Sequence, residues 1–189
     1  MKKIFLLLMI LQILSCTQKK YDNPHVMIDT NYGEIELELF PKQAPKTVAA
    51  FLSYIDSGLY KNTSFYRVLK NEDLLEDDNY GIIQGGVYPN LKNVKPIEHE
   101  PTKLTGLSHT DGTISFASLG AGTATTEFFI CIGNQTPFDA GNSGTTDKQG
   151  FAAFGTVIKG MRIVRKIQAT KNTGDHIDEK IIINNIERL

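Results

Sequence analysis

The chain has 189 residues and a formal net charge of -1, from 20 basic and 21 acidic residues. That length suits one domain, and the even charge balance leaves no electrostatic footprint for a nucleic-acid partner. Sixteen glycines and ten phenylalanines against no tryptophan point to a β-rich globule with many turns.

The first segment, MKKIFLLLMILQILSC, starts with Lys2 and Lys3 and runs almost wholly apolar from Ile4 to Leu14. An apolar run this short reads as a signal-peptide core rather than a membrane span. Its end, with small Ser15 directly before Cys16, resembles the lipobox of bacterial lipoproteins. That resemblance implies a signal peptide over 1–15, lipidation at Cys16, a polar tether over 16–24 and a folded domain over 25–189. The competing reading is an ordinary secretory signal that contains a cysteine. The lipoprotein reading is favoured because the cysteine sits where the apolar run stops. Cys131, the other cysteine, lies in the apolar stretch FFICIG and reads as a small buried thiol. No disulfide is expected.

HVMIDTNYGEIELELF reads as a hairpin, with strands over 26–30 and 34–40 and turn residues Asn31 and Gly33. APKTVAAFLSYIDSGLY places Val48, Phe51, Leu52 and Ile55 at helical spacing, with Pro45 in the first turn and Gly58 at the end. Short strands follow in SFYRVL, GIIQGGV, TISFAS, EFFICIG and FAAFGTVI. GMRIVRKIQA reads as a second helix with Met161, Val164 and Ile167 inward, and KIIINNIERL as a last strand. Many strands and two helices make the fold mainly β, a barrel or a sandwich. A closed barrel would leave no edge to guard, and two helices could cap its ends. In EFFICIG, strand alternation sends Phe128 and Phe129 to opposite faces. One ring enters a core, and the other is either covered or waiting for a ligand.

FYRVL, IIQGG, GTISFAS, EFFICIG and GFAAFGTVIKGMRIVRKI, in this order, resemble the cyclophilins, the peptidyl-prolyl isomerases. The resemblance runs from about Val26 to Leu189. It implies a closed eight-stranded antiparallel β-barrel capped by two α-helices, and isomerase activity with no cofactor and no metal. It matches Arg67 to the family's catalytic arginine and Gln84 to the glutamine that hydrogen-bonds the substrate backbone. Phe129 becomes the floor of the proline pocket and Ile82 an apolar wall. Ala117 and Ser118 match the backbone lining the groove, and Phe138 takes the place of a wall leucine. Phe65, which leads the strand carrying the arginine, is grouped with the substrate-binding residues, and Glu127 is a polar rim position.

The chemistry agrees with these residue types. Prolyl isomerisation needs no nucleophile; it needs a grip on the ring and a donor for the prolyl nitrogen, and a guanidinium is an always-charged, rigid donor. The chain departs from the family pattern at several places. Tyr66 stands where a histidine is common, Phe151 where another histidine is common, and Gly81 where a pocket phenylalanine is usual, with Tyr80 as a candidate replacement for that wall. KNEDLLEDDNY (70–80) and DAGNSGTTDKQG (139–150) are polar insertions. His25, His99, His109 and His176 have no metal spacing and receive no role. The expectation is therefore a monomeric, lipid-anchored isomerase in the bacterial cell envelope, facing the periplasm and acting on proline-containing polypeptides. Two alternatives are a proline-segment-binding chaperone module with little turnover and a barrel carrier of small apolar ligands. Arg67, Gln84 and the side-chain-filled core of a small barrel count against the carrier.

Overall fold

The computed structural model describes residues 21–70, 80–87 and 94–189. The expected signal peptide, Cys16, most of the tether and residues 71–79 of the first insertion lie outside the described residues. Nine strands alternate with helices in the order β1 (His25–Thr30), β2 (Gly33–Leu39), α1 (Pro45–Asp56), β3 (Thr63–Lys70), β4 (Gly81–Gly86), α2 (Thr102–Thr105), β5 (Thr113–Phe116), β6 (Phe128–Ile132), β7 (Ala152–Lys159), α3 (Met161–Gln168), β8 (Asn172–Thr173) and β9 (His176–Arg188).

The strand order around the sheet is β1-β2-β7-β5-β6-β4-β3-β9, and β1 pairs back onto β9 to close it. The pairings are antiparallel, from the first hairpin β1–β2 to the closing β1–β9 contact. The closed barrel thus has eight strands, and two-residue β8 is a flap on β9. Closure explains how a chain with this many short strands leaves no long edge unpaired. Among the described residues the α-helices are the two expected ones plus the single turn α2, which ends on Gly106 at φ +72°. The hairpin, α1 and α3 fall within a residue or two of their sequence positions. The last strand begins four residues earlier than expected, at His176. The polar leader to β1 is already docked: the Asn23 side chain donates to Glu38 Oε1 (3.0 Å), and Pro24 O accepts from Leu39 N (2.9 Å).

α1 closes one end of the barrel and buries Thr47, Val48, Phe51 and Ile55, while Leu52 is only half-buried. Phe51 is the hub of the core. Its ring lies 5.0 Å from that of Phe154, 5.4 Å from Tyr60, 5.8 Å from Phe128 and 6.0 Å from Phe116. The first turn of α1 is capped from a distance. Ala44 offers no side-chain cap, and the buried Glu100 supplies one instead. Its carboxylate accepts from Lys46 N (3.2 Å), Thr47 N (2.7 Å) and Thr47 Oγ1 (2.6 Å). A carboxylate here satisfies otherwise orphaned N–H groups and opposes the positive end of the helix dipole. Glu100→Ala is expected to cost about 2–3 kcal/mol, seen as a fall of about 5–10 °C in the thermal midpoint. A midpoint within a degree of the parent would show that water replaces the cap.

Candidate active site

Register sets up a row of side chains on the outer face of the barrel. Arg67 on β3 is paired with Gln84 on β4, Gln84 with Phe129 on β6, and Phe129 with Ser115 on β5. Directly paired residues share a face and stand about 5 Å apart. Strict alternation along SFYRVL would send Arg67 inward with Phe65. A bulge prevents this: between Phe65 and Arg67 the pairing slips by one residue against β4, and the register against β9 breaks at the same place, from Phe65–Ile181 to Arg67–His176. Phe65 and Val68 therefore both enter the core, while Tyr66 and Arg67 both face outward. Bulges commonly re-aim a side chain beside a site in this way.

These residues line an open groove of ≈ 570 Å³. Of the residues singled out in the sequence, Arg67, Ile82, Gln84, Ala117, Ser118, Phe129 and Phe138 all border it, as does Glu127 at its rim. Phe65 does not. It is fully buried, its ring 5.8 Å from Phe128, so it supports β3 from within and is corrected here from a groove contact to a core residue. Phe128 and Phe129 part as alternation requires. Phe128 lies in the barrel core, and Phe129 in a separate apolar cluster with Ile82 and Cys131. Cys131 is buried, and burial holds its thiol far above the ordinary range, so it is inert packing.

The apolar part of the groove is a three-ring corner. Phe129 forms its floor at 2% exposure. The rings of Phe138 and Phe151 stand edge-on to it at 5.7 and 5.2 Å, and 5.4 Å from each other. Such T-shaped contacts hold the rings in place beyond simple burial. Gly81 leaves one wall without a ring. Its φ of +139°, and the position a Cβ would take 1.9 Å from Leu69 O, make any side chain there incompatible with the backbone. Tyr80 does not rebuild the wall, because its ring lies against Gly133. Leu69 borders the groove on that side and packs on the Phe129 cluster.

The polar part is a chain of hydrogen bonds. Arg67 Nη1 donates to Gln84 Oε1 (3.0 Å), and Arg67 Nη2 to Asp175 Oδ2 (2.8 Å). Gln84 Nε2 donates to the Tyr66 hydroxyl (3.0 Å), which donates to Glu127 Oε2 (2.5 Å). Burial, reinforced by the Glu127 carboxylate, pushes the Tyr66 hydroxyl far above its usual range, so it stays a neutral donor. Gln84 thus fixes the guanidinium as well as facing the groove. Asp175 reaches it from the turn between β8 and β9, where Val68 N donates to Asp175 O (2.8 Å). These bonds leave further guanidinium N–H groups for a ligand.

His109 had no role in the sequence reading, and the structure places it directly behind the pocket. It has 0% exposure and stacks on Phe129 at 5.9 Å. Its Nδ1 donates to Asp139 Oδ1 (2.6 Å), and its Nε2 accepts from the Ser115 hydroxyl (3.1 Å). Asp139 also accepts from His109 N (3.0 Å) and from the Ser108 hydroxyl. Asp139 directly follows Phe138, so this knot fastens the Phe138 wall to the barrel. Burial lowers the His109 pKa despite the nearby carboxylate. A second proton would also turn Nε2 against the Ser115 donor. The unfolded chain therefore binds this proton more readily than the folded one. The stability contributed by neutral His109 is fully present above the ordinary histidine value and is lost as pH falls below it. Thermal midpoints from pH 7.5 to 5 are expected to fall in the parent and to fall less in His109→Gln. Parallel profiles would remove His109 from this role.

Comparison with known proteins agrees with this geometry. The family model described as "Cyclophilin type peptidyl-prolyl cis-trans isomerase/CLD" matches residues 25–188. The Escherichia coli K12 peptidyl-prolyl cis-trans isomerase B is 36% identical over 172 residues, covering 85% of this chain and 97% of that protein. An Acinetobacter baylyi peptidyl-prolyl cis-trans isomerase is 36% identical over 149 residues, covering 77% and 72%. A crystal structure of a cyclophilin-type isomerase from Cryptosporidium parvum superposes with a TM-score of 0.72 at 27% identity, covering 88% of this chain and 98% of that one. The same enzyme, solved in the presence of the dipeptide Ala-Pro, gives a TM-score of 0.69. With a groove of this construction on a closed barrel, and relatives matched over most of their length, the chain belongs to the cyclophilin-type peptidyl-prolyl cis-trans isomerase family.

Proposed function

We propose that this chain accelerates X-Pro bond rotation in exported polypeptides, with Arg67 as the catalytic residue, from a lipid anchor at Cys16 facing the periplasm. The observation that carries the catalytic reading is the Arg67 guanidinium, set by Gln84 and Asp175 beside a pocket floored by Phe129. Rotation about a peptide bond faces a barrier of about 18–20 kcal/mol, because the nitrogen lone pair is delocalised. Before proline the two isomers lie close in energy, yet exchange takes tens of seconds or more. Bringing this to milliseconds requires roughly four decades, about 5–6 kcal/mol.

Each part of the groove has a task in this scheme. Phe129, Phe138, Phe151, Ile82 and Leu69 receive the proline ring and keep water from it. Gln84 and the Ala117–Ser118 segment hold the flanking backbone. As the bond twists, the lone pair localises on nitrogen, and a guanidinium N–H donates to it. A charged donor in a water-poor groove acts strongly and is already oriented before the reaction. No covalent intermediate is formed. A protease-coupled assay on a proline tetrapeptide tests the reading. Turnover supports the isomerase, whereas peptide binding without turnover supports the chaperone-module alternative.

The anchor rests on the sequence ILSC, where the apolar run ends at Cys16. Cys16→Ser is expected to shift the protein out of the membrane fraction or to block its processing, read by fractionation and gel mobility. A variant that fractionates and migrates like its parent would exclude lipidation at this cysteine.

A further inference from the structure

We propose that Leu119 makes this groove selective for clients with an apolar side chain within two residues of the isomerised proline, and that Asp147 braces it for this task. The proposal rests on the isomerase reading of the adjoining groove. Leu119 is 100% exposed, yet it lines the same groove as Arg67 and Phe129. A single exposed leucine is ordinary on a protein surface. This one differs in how it is held.

The turn that carries it is tied at several points. Leu119 N donates to Thr123 Oγ1 (3.0 Å), and that hydroxyl donates to Gly120 O (2.8 Å). Ala121 N donates to Asp147 Oδ2 (2.9 Å), while Asp147 Oδ1 accepts from Gln149 N (2.9 Å). Asp147 belongs to the 139–150 insertion, for which the sequence offered no purpose. That insertion also builds the opposite wall. Gly144 borders the groove, its N–H donates to Pro137 O (2.8 Å), and a Cβ on it would stand 2.7 Å from the Phe138 ring. The insertion therefore joins the wall bearing Phe138 to the turn bearing Leu119, and it ties that backbone where the leucine side chain stands exposed.

A leucine held clear of its own protein gains from burial only when something else covers it. The groove is continuous with the proline pocket, so the cover is the client chain. Leu119 lies two residues beyond Ala117, a reach of at most about 7 Å, which is about two residues of an extended client. Ser118, which precedes Leu119, and Thr123, which bonds its backbone, are uncharged, and the charged side chains lining the groove are Arg67 and Glu127.

The test uses the full chain and proline peptides in which each position within two residues of the proline carries Ala or Leu. The readout is the Leu/Ala ratio of kcat/KM. The parent is expected to show a ratio of about five or more at one position. Leu119→Ala should bring that ratio near one, Leu119→Met should keep most of it, and Asp147→Ala should lower it. Leu119 is wholly exposed, so these substitutions leave the core intact. A parent ratio near one at every position, or a ratio that survives Leu119→Ala, overturns the proposal. Absence of turnover on all peptides would instead remove the isomerase reading. Competition binding of the same peptides by fluorescence anisotropy would then still decide the rim: a Leu preference lost in Leu119→Ala supports it, and equal affinities overturn it.

Discussion

Arg67→Ala is expected to lower kcat/KM for a proline tetrapeptide by at least about two decades, a loss near 2.7 kcal/mol. The substitution removes the charged donor of the groove while leaving Phe129, Phe138 and Phe151 to bind the ring. The fall should therefore appear mainly in kcat. Arg67→Lys should recover little, because a lysine cannot hold Gln84 and Asp175 in one planar fork and still face the substrate. The thermal midpoint should change little. The Arg67 side chain is 34% exposed and the Asp175 side chain 50%, so their ion pair is worth at most about 1 kcal/mol. An Arg67→Ala variant with near-parental turnover would take this residue out of catalysis.

The largest effect on stability is expected from Phe51→Ala. Phe51 is fully buried, and its ring meets those of Tyr60, Phe116, Phe128 and Phe154. Truncating a buried phenylalanine removes its burial and leaves a cavity, at a cost of about 3–5 kcal/mol. That corresponds to a fall of about 10 °C or more in the thermal midpoint. The groove lies on the other side of the barrel wall, so the folded fraction should keep its turnover at low temperature. A loss below about 1 kcal/mol would mean that α1 shifts to fill the space. A folded variant with no activity would mean that the core ring also fixes the groove.

Arg67 and Phe51 serve opposite faces of one barrel wall, and the sequence carried these faces unequally. The alternation in GEIELEL was enough for a strand with Ile35, Leu37 and Leu39 inward, but not for Glu36, which is buried as well, between His25 and Lys159, rather than standing in water; Val48, Phe51 and Ile55 were enough for a helix with one apolar face, because both signals are local. The ordered motifs carried the barrel and most of the groove: Arg67, Ile82, Gln84, Ala117, Ser118, Phe129 and Phe138 all border it. Phe65 was misplaced because a bulge leaves no mark in composition. One extra residue on β3 reverses the faces of everything after it, and only the partner strands β4 and β9 reveal the slip.

By itself, then, the sequence determined the mainly β architecture, the two capping helices, the split of Phe128 from Phe129 and the chemical types that meet a prolyl bond. Tertiary structure alone decided which groups hold them. Asp175 grips Arg67 from 108 positions away, and Glu100 caps a helix 53 positions before it. His109 fastens Asp139 behind Phe129, and Asp147 spans two loops. Periodicity reports which way a side chain points along its own strand or helix. It holds no information on which distant segment the closing of the barrel will bring against that side chain, and the second partner of nearly every polar group in this site comes from such a segment.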